Sequence, residues 1–162
     1  MTPVYSQALQ NEFVDIDQTL IFNYKLPGGK TVNGLSQPIS ADGDYFLCGL
    51  QVVCAIFENP LVQTIQGEVG VRLADDSGYK LMNEYVTSLF MTPAAGNSYP
   101  FIIRPQHKFL AGTRINIDLQ EMSNLSDESG TSLPNLVQIA FRGFYRYRTA
   151  SLLKQQQLRK GL

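Results

Sequence analysis

One histidine, two cysteines and two acidic turns are the residues of this chain that could do covalent or metal chemistry. His107 lies in RPQHKF, between two strand-like segments. A general base there is chemically possible, but a loop histidine beside Lys108 reads as solvated surface. Cys48 and Cys54 stand in FLCGLQVVCAI, on one face if the segment is a single strand. Six residues of strand hold their Cα atoms about 20 Å apart, beyond disulfide reach. Both read as small buried hydrophobes of a protein made in a reducing compartment. One histidine and two such thiols do not make a zinc site. Asp42-Gly43-Asp44 and Asp75-Asp76-Ser77-Gly78 could offer oxygens to calcium, but neither follows a calcium-loop pattern. Asp beside Gly is turn chemistry. The chain has no Gly-x-Ser-x-Gly elbow and no Gly-x-x-x-x-Gly-Lys phosphate loop. No catalytic, cofactor-binding or metal-binding residue is assigned, and the chain reads as a non-enzyme.

The positive signal is VQIAFRGFYRYR. Val137, Ile139, Phe141, Gly143, Tyr145 and Tyr147 share one face of a strand, and Gln138, Ala140, Arg142, Phe144, Arg146 and Arg148 share the other. The first face reads as core and the second as a binding face. Arginine between aromatic rings stacks, forms bidentate ion pairs and anchors interfaces. The tail that follows adds Lys154, Arg159 and Lys160. Residues 1–128 carry fourteen acids and seven bases, and residues 129–162 carry six bases and no acid. A chain polarised in this way can bind its own copies, acidic part to basic end. Single-stranded nucleic acid also suits alternating aromatics and arginines. It calls for a basic domain, however, and residues 1–128 are acidic, so nucleic acid is not the expected partner. The predicted contact residues are Arg142, Phe144, Arg146, Arg148, Lys154, Arg159 and Lys160.

These residues need strands to position them. Leu20, Phe22, Tyr24 and Leu26 alternate with Ile21, Asn23 and Lys25 before the PGGK turn. A long strand follows the Asp42 turn, with Phe46, Cys48, Leu50, Val52, Cys54 and Ile56 expected inward. Val69, Val71 and Leu73 begin a hairpin whose return starts at Tyr79. Ile115, Ile117 and Leu119 give a further alternating strand, and residues 123–135 a polar loop. Seven to nine strands are expected, with helical spacing only in the tail around Leu152, Leu153 and Leu158. Such a pattern predicts an all-β antiparallel sandwich of jelly-roll type. The immunoglobulin alternative lacks its Cys…Trp…Cys signature. An N-terminal arm (residues 1–17), a sandwich domain (18–148) and a basic tail (149–162) are predicted. No signal peptide and no membrane-spanning run is read.

The order of phrases ADGDYFLCGL, GEVGVRLADDSGYKLMNEYV, YPFIIRPQHKFLAGTRINIDL and VQIAFRGFYRYR resembles that of tailed-bacteriophage virion structural proteins, the small proteins that decorate heads or sit at the neck. The resemblance spans about two thirds of the chain. It implies a capsid decoration or minor head protein that stabilises the shell. Its partners would be its own copies and other virion proteins such as major capsid or neck proteins. It implies assembly in the host cytoplasm, a place in the virion, and no cofactor. A neck, collar or fibre-attachment protein is the alternative position. From another class, a carbohydrate-binding jelly roll would use Phe90 and Tyr99 to stack on sugar rings.

Overall fold

The computed structural model describes residues 13–56, 65–91 and 101–148. Nine strands are formed there: β1 (Phe13–Leu26), β2 (Thr31–Pro38), β3 (Gly43–Ile56), β4 (Ile65–Gln66), β5 (Val69–Asp75), β6 (Val86–Thr87), β7 (Phe101–Phe109), β8 (Arg114–Glu121) and β9 (Asn135–Arg148). They make two antiparallel sheets. The five-stranded sheet runs β1-β9-β3, and the far edge of β3 is shared by β7 and β4. The four-stranded sheet runs β2-β8-β5-β6. A short 3-10 turn, Ser88–Phe90, is the only helical element of the described residues. No helix among the described residues is long and apolar enough to cross a membrane.

Alternation in the sequence builds the core. Leu20 and Leu26 of β1 are buried while Ile21, Asn23 and Lys25 are exposed. Val137, Ile139, Phe141 and Tyr145 of β9 are buried, as predicted. Across from them lie Val69, Val71 and Leu73 of β5 and Ile115, Ile117 and Leu119 of β8. Each such side chain contributes about 1.5–3 kcal/mol on leaving water. That driving force fixes which face of each strand turns inward, because a one-residue slip exposes the whole set.

Two expectations are corrected here. First, β1 begins at Phe13 rather than Gln18, so the last five residues of the expected arm belong to the sheet. The pairing with β9 is continuous from Phe13 opposite Arg148 to Leu26 opposite Asn135. Residues 1–12 and the tail, 149–162, lie outside the described residues, and with them the expected short helix, Lys154, Arg159 and Lys160.

Second, the inward set of β3 holds only from Leu50 onward. Before it, Tyr45 and Leu47 are fully buried, while Phe46 and Cys48 are half-exposed on the opposite face. Leu47 stands opposite Gly143 and Gly49 opposite Arg142, which leaves Cys48 as an extra residue. A bulge of this kind reverses the alternation on one side of it. Tyr45 exploits the gap that Gly143 leaves. Its hydroxyl lies 2.7 Å from the Phe141 carbonyl and 3.0 Å from that of Gln18. A Cβ at residue 143 would fall 2.1 Å from the Phe46 carbonyl oxygen, so only glycine fits.

Candidate functional site

The outer face of the five-stranded sheet holds the residues that could meet a partner. The registers of β1, β9 and β3 place them in rows. Asp15, Arg146 and Asp44 form one row. Asp17, Phe144 and Phe46 form the next, with Lys108 of β7 at its end. Thr19, Arg142 and Gly49 follow. Below them come Ile21, Ala140 and Gln51, then Asn23, Gln138 and Val53, then Lys25, Leu136 and Ala55.

The upper rows are tightly knit. Arg146 donates from Nε and Nη2 to the two carboxylate oxygens of Asp15, each at 2.7 Å. This fork-to-fork geometry suits guanidinium and carboxylate. The same guanidinium lies 4.8 Å from the centre of the Phe46 ring and 5.8 Å from that of Phe144. The two rings are nearly parallel, 6° apart, with centres at 5.0 Å. Lys108 Nζ stands 2.7 Å from Asp44 Oδ2 and 6.0 Å from the Phe46 ring. The hydrogen bond from Arg146 holds the Asp15 carboxyl below its ordinary range and raises Arg146 in return. Burial works against ionisation of Asp44, but the Lys108 hydrogen bond and the Ala111 amide outweigh it and its pKa is lowered. The Asp15–Arg146 and Asp44–Lys108 charges are therefore matched within the chain, and the aromatic pair is roofed by cations.

Arg142, Phe144, Arg146 and Arg148 do share one face, at alternate positions of β9. Arg142 donates to Gln51, and Arg148 is exposed opposite Phe13. The Arg146 guanidinium is also engaged by Asp15 and fastens β1 to β9. Phe46 was missed because the bulge hid the true parity of β3, Asp15 because it falls in the expected arm, Asp44 because it reads as a turn, and Lys108 because its segment reads as a loop. The lower rows were missed as well. Ile21, Val53 and Leu136 are 48%, 49% and 41% exposed there. Val53 and Leu136 line an open groove of about 490 Å³ together with Asn23, Tyr24, Lys25, Ala55, Val137 and Gln138. Exposed large hydrophobics could have been read from β1 and β9 once their inner face was assigned.

The outer face of the four-stranded sheet is of another kind. Asp118 accepts from the Gly34 amide and from Arg72, and Arg72 lies 4.8 Å from the Tyr85 ring. Tyr85 in turn donates to Asn33. This is a polar lattice that satisfies itself.

His107 is not the solvated loop residue expected. It sits on β7, half-buried, with its ring parallel to Tyr79 at 5.4 Å and edge-on to Phe109 at 4.7 Å. Its Nε2 stands 3.3 Å from Asp75 Oδ2 without the alignment of a hydrogen bond. The contact brings β7 of one sheet against the end of β5 of the other. Asp75 is a turn residue: its Oδ1 accepts from the Ser77 amide and hydroxyl and from the Tyr79 amide. Those bonds overcome the effect of burial and lower its pKa. Asp42 accepts from the Ser40 hydroxyl, and Asp44 pairs with Lys108. Among the described residues no three His, Cys, Asp or Glu side chains gather to hold a metal. Cys54 is buried and Cys48 half-buried, both as free thiols. Of the two residues proposed for sugar stacking, Phe90 is 75% exposed and Tyr99 lies outside the described residues.

Comparison with protein-family models, with curated proteins and with solved structures finds no match to this chain in any of the three.

Proposed function

We propose that this chain is a non-enzymatic structural subunit of a virion, a capsid decoration or minor head protein that stabilises the shell by binding its neighbours. A neck or collar position is the alternative. The observation that carries the reading is the outer face of the five-stranded sheet. There, three 14-residue strands present an arginine–aromatic cluster beside exposed Ile21, Val53 and Leu136. A rigid, flat, amphipathic face of this kind suits adhesion. The basic tail gives a second means of reaching a neighbour. The jelly-roll form of the fold belongs to the same proposal. The orders β1-β9-β3-β7 and β2-β8-β5-β6 support it, since two interleaved Greek keys send successive strands back and forth between two four-stranded sheets.

The test is solution mass by light scattering at low and high salt, for the full chain and for one stopped after Thr149. A defined oligomer that dissociates on truncation or in salt supports assembly through the tail. A monomer under every condition counts against self-assembly. The exposed ring of Phe90 keeps a carbohydrate-binding reading in view. Glycan binding lost in Phe90→Ala and Tyr99→Ala would favour it, and no binding at millimolar sugar would remove it.

A further inference from the structure

We infer that the free edge of β1 is a homodimer interface, at which β1 of one copy pairs antiparallel with β1 of a second about Ile21. This deepens the assembly reading above and rests on it.

β1 closes one side of the five-stranded sheet and pairs with β9 alone among the described strands. Proteins ordinarily blunt such an edge with proline, a bulge or a very short strand. β1 has none of these three, and the charges it does carry, Asp15, Asp17 and Lys25, turn away only a strand of unmatched charge. Its fourteen residues, FVDIDQTLIFNYKL, contain no proline and no glycine, and its register with β9 runs without a shift. Residues 13–19 are all exposed, so side chains on both faces of this half reach solvent. Among them Phe13, Val14 and Ile16 are 44%, 38% and 43% exposed. A long, straight, partly apolar edge is a template for another strand.

The side chains say which strand. Turning β1 about Ile21 sets Ile21 against itself, Thr19 against Asn23 and Asp17 against Lys25, all on the outer face. On the inner face Leu20 meets Phe22, Gln18 meets Tyr24 and Ile16 meets Leu26. Asp17 and Lys25 are both exposed and carry no ion pair among the described residues, whereas Asp15 is committed to Arg146. By symmetry the pair forms twice. Opposite charges directly across a strand pair stabilise it, and like charges destabilise it. Turning about Ile16 instead would set Asp15 against Asp17, which disfavours that register. Ile16 to Leu26 would then pair with their symmetry mates, joining two sheets into one of ten strands with a continuous outer face.

A charge swap tests this in the full-length protein at low salt. Asp17 and Lys25 are eight residues apart, about 26 Å along the strand, too far to influence one another within one chain. Asp17→Lys and Lys25→Asp should each weaken the dimer roughly 10-fold or more, as read by light scattering over a concentration series. Asp17→Lys/Lys25→Asp should restore it, with circular dichroism unchanged throughout. Restoration can arise only between copies. An oligomer indifferent to the reversals but lost on truncation after Thr149 would overturn the edge and leave assembly standing. A dimer that appears only after that truncation would show the edge occupied by the chain's own tail, which also overturns it. A monomer in every case would overturn both.

Discussion

Arg146 illustrates how a surface cation can be structural. Its guanidinium is held by Asp15 and lies over Phe46, so it pins the first residues of β1 to the two strands beside them. Arg146→Glu would gather three acids in one row, with Asp15 and Asp44 on either side. Amides of residues 13–17 should then exchange with solvent faster, while those of the β9 core stay protected. Asp15→Arg/Arg146→Asp should restore slow exchange, and unchanged exchange in Arg146→Glu would remove the clasp. The thiols give a second contrast. Burial, with Glu121 and Glu68 nearby, pushes Cys54 up to about 12, and the thiol lies 3.2 Å from Asn135 Oδ1. Burial and Asp17 raise Cys48 as well, though it reaches the surface. Iodoacetamide at pH 8 should therefore modify Cys48 slowly and Cys54 not at all until guanidinium unfolds the chain. Rapid native modification of Cys54, located by peptide mass spectrometry, would contradict its burial.

At the scale of elements, β9 was legible and β3 only in part. The alternation from Val137 to Tyr147 has no interruption, so its inner face could be read directly from residue type. β3 looks equally regular from Phe46 to Ile56, yet one extra residue at Cys48 turns its first half over. Gly49 in FLCGLQ is the one local sign of a bulge, but the small and apolar residues around it fit either face and leave the parity open. The bulge depends on what lies opposite, Gly143, and that pairing is a fact of the folded sheet. His107 was misread for a similar reason: its partners Tyr79 and Asp75 come from a turn 28 and 32 residues away in sequence. Gly143→Ala tests the packing at the bulge. Its Cβ would meet the backbone oxygen of Phe46, which a rotamer change cannot move, and the Tyr45 ring as well. The substitution should cost about 1–3 kcal/mol in denaturant unfolding. A neutral result would mean that the strands relax apart at no cost.

For the whole molecule, acids and thiol shape stability against pH. Asp15, Asp44, Asp75 and Asp127 are all held below the ordinary carboxylate range. Their contribution is complete above the unfolded value near 4 and is lost as pH falls through the lower folded values. Stability should thus drop on acidification below about pH 4, and less steeply in Asp75→Asn. On the alkaline side, an unfolded thiol ionises near pH 8.5 while native Cys54 does not until about 12, so stability should fall again above roughly pH 9. Urea midpoints across pH 2–10 would show both limbs, and a flat profile would contradict them. The pairing of Phe13 with Arg148 has a further consequence. The described strands begin and end at one corner, on neighbouring strands roughly 5 Å apart. A domain so constructed can be threaded into a loop of another protein as an insert. It can also be closed by a short peptide and reopened at the exposed Asp127–Thr131 turn, giving a circular permutant with every strand still in place.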